Sequence, residues 1–282
     1  MSVSAGIVLA GGRSSRMGTP KAALEWHGST LLHRTAAMLG RTVSGPVVVV
    51  RAPGQELPTL PAGVEVVEDP VEGLGPMQGI ATGLAAVADR APVAFVCSTD
   101  MPFLHPAFVR RVLGGLAGAD VDVVLPVARG FPQPLAAGYR TALAELAAEL
   151  VAHGQLRPAM LFAQCRVTRP DDAELLADDG LARLDPELDS VVNVNAPEDY
   201  DTARRRPAPE ITVQCYGALA GGGHHGPRVV RAGTLGGAAA AAGLVLDRHV
   251  VAALNGDQIS RDADLPLVAG DVVAFLSADA GG

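Results

Sequence analysis

Short β-branched runs alternate with alanine-rich amphipathic stretches through the first half of this chain, and that alternation restricts the fold more than any other feature. Runs 6–10, 47–51, 64–67, 93–98 and 121–127 read as strands, and stretches 30–39, 79–88 and 106–116 read as helices. Strands and helices in this order belong to an α/β fold with a mostly parallel, doubly wound sheet. Ligands bind such sheets outside the carboxyl ends of the strands, so the residues just after Ala10, Val67 and Ser98 are expected to converge. Gly11, Asp69 and Asp100 occupy those places.

The rhythm stops near residue 197. A last helix over 197–205 opens on Pro197, which suits a first helical turn, and runs into Arg204-Arg205-Arg206-Pro207-Ala208-Pro209, a linker by composition. A new pattern then begins: strand 211–216, glycine turn 221–223, strand 227–231, helix 234–242, and strands near 250–254 and 271–276. This ββαββ order predicts a small α+β domain, with boundaries at 1–206 and 210–282. An extra edge on the first sheet is the alternative. A length of 282 residues accommodates two domains, and 49% hydrophobic with 18% charged residues suits buried cores.

Several classes of function are disfavoured. No apolar run approaches the roughly 20 residues of a bilayer span, so no membrane partner is expected. The first eight residues lack the basic region of a signal peptide, which points to the cytoplasm. A net charge of −8 argues against nucleic acid, whose phosphates call for a basic surface. Cys97, Cys165 and Cys215 are widely spaced, without a CxxC pair, and read as packing residues. His224-His225 lies in a glycine loop with no other ligand nearby and reads as a solvated turn.

The segment Leu9-Ala10-Gly11-Gly12-Arg13-Ser14-Ser15-Arg16-Met17-Gly18-Thr19-Pro20-Lys21 carries the most chemistry. A strand ends in paired glycines, which let backbone N–H groups approach an anion or a base edge, and Arg16 and Lys21 add positive charge. It is neither a Walker A loop nor GxGxxG. Asp100 ends an apolar strand, where a carboxylate can hold Mg²⁺ together with water and substrate phosphate oxygens. Glu68-Asp69 supplies acidic groups after another strand, and Gly73-Leu74-Gly75-Pro76-Met77-Gln78-Gly79 opens a helix whose N-terminus can face a nucleotide.

These motifs, in this order and followed by Asn193-Val194-Asn195-Ala196-Pro197-Glu198-Asp199, resemble the molybdenum cofactor guanylyltransferases (MobA) over about 200 residues. The resemblance implies a Rossmann-like nucleotidyltransferase domain that transfers GMP from GTP to the terminal phosphate of molybdopterin and releases pyrophosphate. It makes Leu9, Ala10, Gly11, Gly12, Lys21, Asp69 and Asp100 the guanine nucleotide site, with Mg²⁺ on Asp100. Arg16, Lys21 and Asp100 are the catalytic candidates, because transfer joins two anions and their repulsion has to be neutralised. Arg129, Arg140 and Arg157 are candidates for meeting the second substrate. Trp26 is expected to pack beside the nucleotide loop. The chain departs from the family after the second strand, where an Asn that helps bind the nucleotide is replaced by Val50-Arg51-Ala52-Pro53. A cytidylyltransferase acting on molybdopterin, or another small-molecule nucleotidyltransferase, stays open as the alternative.

From residue 211 the chain resembles the ubiquitin-like sulfur carriers of the MoaD/ThiS type, which implies a β-grasp fold. The residues concerned are Val251-Ala252-Ala253-Leu254-Asn255-Gly256, the run 267–276 and the tail Ala280-Gly281-Gly282. Gly281 and Gly282 are then the carrier tail, and the implied partners are an ATP-dependent activating enzyme and the large molybdopterin synthase subunit. Ser277-Ala278-Asp279 departs from the proline-containing stretch common in that family. A decayed transferase serving as a scaffold for the carrier is the non-enzymatic alternative.

Overall fold

The computed structural model of the chain describes residues 3–11, 20–117, 120–220, 226–256 and 258–277. It divides into two compact units, Met1–Leu24 with Thr30–Tyr200, and Glu25–Ser29 with Asp201–Gly282.

In the first unit, β1 (Ser4–Leu9) is followed by α1 (Leu31–Gly40), β2 (Val47–Arg51), β3 (Glu65–Glu68), α2 (Pro76–Val87), β4 (Val93–Ser98) and α3 (Pro106–Gly114). Then come β5 (Val123–Val124), β6 (Ala136–Arg140), α4 (Ala144–Ala152), β7 (Val167–Thr168) and α5 (Pro197–Arg204), whose last residues belong to the second unit. Local chemistry sets the helix starts. Thr30 Oγ1 accepts from His33 N at 3.2 Å to cap α1, and Pro76 and Pro106 occupy first turns where no N–H donor is needed. Helix α2 begins three residues before the expected 79 because Gly75, at φ +81°, turns the chain directly into Pro76.

The strands form one seven-stranded sheet in the order β7-β5-β6-β4-β1-β2-β3, parallel except for β6, which runs antiparallel to both its neighbours. Successive residues of β1 point to opposite faces. Val8 packs with Leu32 and Leu39 of α1 and Phe108 of α3, while Ile7 packs with Ile80 and Leu84 of α2. Both faces are therefore covered by helices. The strand expected over 121–127 is only two residues long, because Pro126 has no N–H for the ladder and residues 127–132 turn into a separate hairpin. Strand β6 carries no strand signal in the sequence, since its Ala-Ala-Gly-Tyr-Arg run lacks β-branched residues.

The second unit contains β8 (Glu210–Cys215), β9 (Arg228–Arg231), α6 (Leu235–Ala241), β10 (Val250–Leu254), β11 (Gln258–Ser260) and β12 (Val272–Ser277). They form a separate five-stranded mixed sheet, β9-β8-β12-β10-β11, so the second region is not an extra edge of the first sheet. The central pair β8 and β12 is parallel and the outer pairs are antiparallel. Helix α6, capped by Thr234, covers one face over Ile211, Val213, Leu254, Val273 and Phe275. The expected ββαββ order lacks β11, which at three residues is too short to show periodicity. No helix among the described residues is long and apolar enough to cross a membrane.

Candidate active site

The chain leaves β1 toward β2 on one side and returns through α2 to β4 on the other, so the point between β1 and β4 is where strand order reverses. The strand ends are held together there. Thr99 N and Thr99 Oγ1 both donate to the Leu9 carbonyl, at 3.3 and 3.1 Å. Ala10 N and Gly11 N both donate to the Val50 carbonyl, at 2.8 and 3.3 Å, and Asp69 N donates to the Arg51 carbonyl at 2.9 Å.

Asp100, just past β4, is the centre of this edge. Lys21 Nζ donates to Asp100 Oδ2 at 2.8 Å and to Asn195 Oδ1 at 3.0 Å, and Ser98 Oγ donates to Asp100 Oδ1. The Asp100 carbonyl accepts from Val194 N at 2.9 Å, which fixes the 193–195 segment beside the pair. The two charged side chains retain 23% and 16% exposure, so a ligand arriving from solvent can reach both.

Asp69 has different surroundings. Its Oδ1 accepts from Thr82 Oγ1 of α2 at 2.8 Å, and partial burial raises its pKa above the usual aspartate value while hydrogen bonds from Thr82 and Gln78 oppose that rise. It follows β3, three strands along from β4, and at roughly 4.8 Å per strand that is about 14 Å. The expected convergence therefore holds at one edge but not at one point: Asp69 and Asp100 are too far apart along the sheet to share an ion.

A cavity of about 370 Å³ opens beside Asn195, lined also by Arg129, Phe131, Gln133, Val192 and Asn193. Arg129 and Gly130 form the turn of the 127–132 hairpin with φ of +54° and +82°, and that turn carries Phe131 into solvent at 71% exposure. Arg129 Nη1 donates to Asp189 Oδ1 at 2.9 Å along the same rim. Arg140 is elsewhere. Its guanidinium donates to the Val121 and Leu116 carbonyls, which makes it a brace of the sheet edge and corrects its candidacy for the second substrate. Arg157 is exposed and follows Leu156, whose carbonyl lies 3.9 Å from where a Cβ on Gly75 would sit.

Asn195 is a site residue to which no motif gave a role. Asn195 stood in a recognised segment without an assigned role, and only its bond to Lys21 reveals one. Gly12 and Arg16, expected in the nucleotide site, His224-His225, and Gly281 and Gly282 lie outside the described residues. Trp26 is buried, edge-on to His27. Cys97 is fully buried and its pKa is pushed well up by desolvation, in keeping with a packing role; Cys165 is partly exposed, its pKa pushed up to about 11 by burial and then by Asp122.

Residues 6–168 match the family of MobA-like NTP transferase domains. A probable molybdenum cofactor guanylyltransferase of Mycobacterium tuberculosis is 42% identical over 160 residues, covering 56% of this chain and 78% of that protein. One from Mycobacterium marinum is 41% identical over 160 residues with the same coverage. Among solved structures, molybdopterin-guanine dinucleotide biosynthesis protein A from Archaeoglobus fulgidus shares the fold, with a TM-score of 0.56 at 23% identity over 71% of this chain and 96% of that one.

Proposed function

The chain belongs to the family of MobA-like NTP transferase domains and is a nucleotidyltransferase, and on that premise we propose that it transfers GMP from GTP to molybdopterin. The observation that carries this reading is Lys21 held between Asp100 and Asn195 at the strand-order reversal. The backbone of Leu9, Ala10 and Gly11, with Gly12 beyond it, binds the guanine nucleotide, and Asp69 closes the far side of the site. The cavity beside Asn195 receives the acceptor, with Arg129 and Asn193 meeting its phosphate and Phe131 offering an aromatic face to a flat heterocycle.

The described residues contain no cluster of three or more His, Cys, Asp or Glu able to hold a metal. A single carboxylate at a solvent-reachable strand end instead fits Mg²⁺ that arrives with the nucleotide and takes its remaining ligands from phosphate and water. Asp100 is the residue that would hold it, and when bound the ion neutralises phosphate charge. The chain's own contribution is positional and electrostatic. Lys21 and Arg16 offset the repulsion between the acceptor phosphate and the α-phosphate, and Lys21 is placed to follow charge onto departing pyrophosphate. No protein nucleophile is required. Pyrophosphate release with each NTP, Mg²⁺ and molybdopterin tests the reading. Turnover with GTP supports it, and equal or better turnover with CTP replaces it by the cytidylyl alternative.

For the second unit we propose a β-grasp carrier of the MoaD/ThiS type. Support comes from a parallel central pair formed by its first and last strands, an antiparallel partner beyond each, and one helix on a single face. The proposed domain boundaries are 1–206 and 210–282, so a chain cut after Arg206 is expected to melt cooperatively and transfer GMP. On this reading Gly281 and Gly282 enter an ATP-dependent activating enzyme, and the large molybdopterin synthase subunit is the recipient of sulfur. Intact mass after incubation with such an enzyme and a sulfur source should rise by the sulfur-for-oxygen difference. No gain with any activating enzyme would leave the unit as a scaffold.

A further inference from the structure

The family Asn after the second strand is absent, yet the place is not empty of side-chain chemistry. Ala52-Pro53-Gly54-Gln55 forms a tight turn in which Gln55 N donates to the Ala52 carbonyl at 3.1 Å and Gly54 takes φ +66°. Proline second and a positive-φ glycine third are the requirements of a type II turn. The turn brings the Gln55 side chain back over the ends of β1 and β2. Its Nε2 donates to the Ala10 carbonyl at 3.0 Å and its Oε1 accepts from Ala52 N at 3.0 Å, while Arg51 Nη1 donates to the Gln55 carbonyl at 3.0 Å. Both side-chain partners are backbone groups of fixed polarity, so the amide has only one orientation that satisfies them.

The consequence lies in the polar groups at the end of β1. The Leu9 carbonyl is held by Thr99, Ala10 N and Gly11 N share the Val50 carbonyl, and the Ala10 carbonyl is held by Gln55. A Cβ on Gly11 would stand 3.3 Å from Ala52 N, so the loop that Gln55 fastens also packs directly on the glycine. We propose that Gln55 is a positioning residue: it locks the Ala10 peptide and the 51–52 backbone against Gly11, and thereby sets nucleobase selectivity. This rests on the proposed binding of the guanine nucleotide by residues 9–11. Discrimination between bases is a difference of affinities, and it depends on donors and acceptors being held in place before the base arrives. The carbonyl of Ala10 keeps a second lone pair, so the clamp orients the group without using it up.

The test compares kcat/KM for GTP with that for ATP in wild type, Gln55→Met and Gln55→Glu, using the full chain. Gln55→Met keeps the stem and removes both side-chain bonds. The GTP preference is expected to fall about tenfold, chiefly through KM for GTP, while kcat changes less than about threefold. Gln55→Glu keeps an acceptor for Ala52 N but opposes the Ala10 carbonyl with a carboxylate. Its GTP binding should be at least as weak near neutrality and recover as acid protonates the carboxyl and restores a donor. A native melt with an undiminished GTP preference in Gln55→Met overturns the inference alone; a wild type with no preference among nucleotides overturns it together with the guanylyl reading. Should Gln55→Met lose its cooperative melt, Gly54→Ala supplies the same ratio, since a side chain at φ +66° strains the turn that delivers Gln55. An unchanged ratio there also counts against the proposal.

Discussion

Strands β1 and β12 are both six residues long, but β1 is buried at five successive positions from Ala5 to Leu9, whereas β12 is buried only at Val273 and Phe275. The first sheet is covered on both faces, so the groups that can meet a ligand are those that emerge at its strand ends. The second is covered on one face, and the register Ala253↔Ile259, Ala253↔Ala274, Val251↔Leu276 and Thr212↔Val272 puts largely apolar residues on the other. One region thus concentrates chemistry at an edge and the other presents a surface. The same alternation rule of side chains produces both, and what differs is the number of helical layers.

The sharpest way to break this contrast is at the edge. Asp100→Ala is expected to lower GMP transfer by about a thousandfold while the chain melts normally, because it deletes a strand-end carboxylate and no core side chain. Near-normal turnover at saturating Mg²⁺ would remove the edge as the reactive region. The faces are next. Ile7, fully buried in β1, and Ile259, 66% exposed in β11, are the same residue type under opposite conditions. Ile7→Ala should cost about 3 kcal/mol by chemical denaturation and Ile259→Ala under about 0.5 kcal/mol. Equal losses would show that the second sheet's outer face is covered after all.

Lys21→Ala should reduce kcat by about ten- to a hundredfold, since it removes charge that compensates the leaving pyrophosphate and leaves Asp100 without its ion-pair partner. If only KM for GTP rises, Lys21 binds ground state and transition state alike. The smallest effect belongs to Asp69, and it appears as a pH dependence. Burial makes Asp69 harder to ionise in the folded chain, so the unfolded chain releases its proton first, and stability falls as pH rises from the ordinary aspartate range through the raised value. Asp69→Asn removes that slope. Melting temperature without ligand should therefore move in favour of the variant across that window and hold level above it. A gap between the two that stays constant with pH would mean that Asp69 titrates alike in both states.

Much of this was legible because it is local. Thr30 caps α1, Pro76 and Pro106 start helices, Asn255 and Gly256 turn with positive φ after β10, and Asp100 ends an apolar run; each depends on neighbours within a few residues. The Pro53-Gly54 turn, and with it the return of Gln55, is local in the same way. Strand β6 was not readable in this way. Its alanines and glycine suit the site because Gly138 sits where a Cβ would come within 3.1 Å of Leu116 and 3.3 Å of Val112, a constraint set by packing partners and not by its own periodicity.

By itself, the sequence determined the alternation of elements, the glycine loop after the first strand, the acidic residues at strand ends and the change of pattern near residue 207, since dihedral preference and side-chain period act over a few residues. Only the tertiary structure decided that Lys21 reaches Asp100 and Asn195, 79 and 174 positions away in the chain, and that Asp69 stands apart from them. Strand order cannot be read from any one strand. It follows from which hydrophobic faces bury one another across the whole chain, and it is that order which converts a list of charged residues into a site.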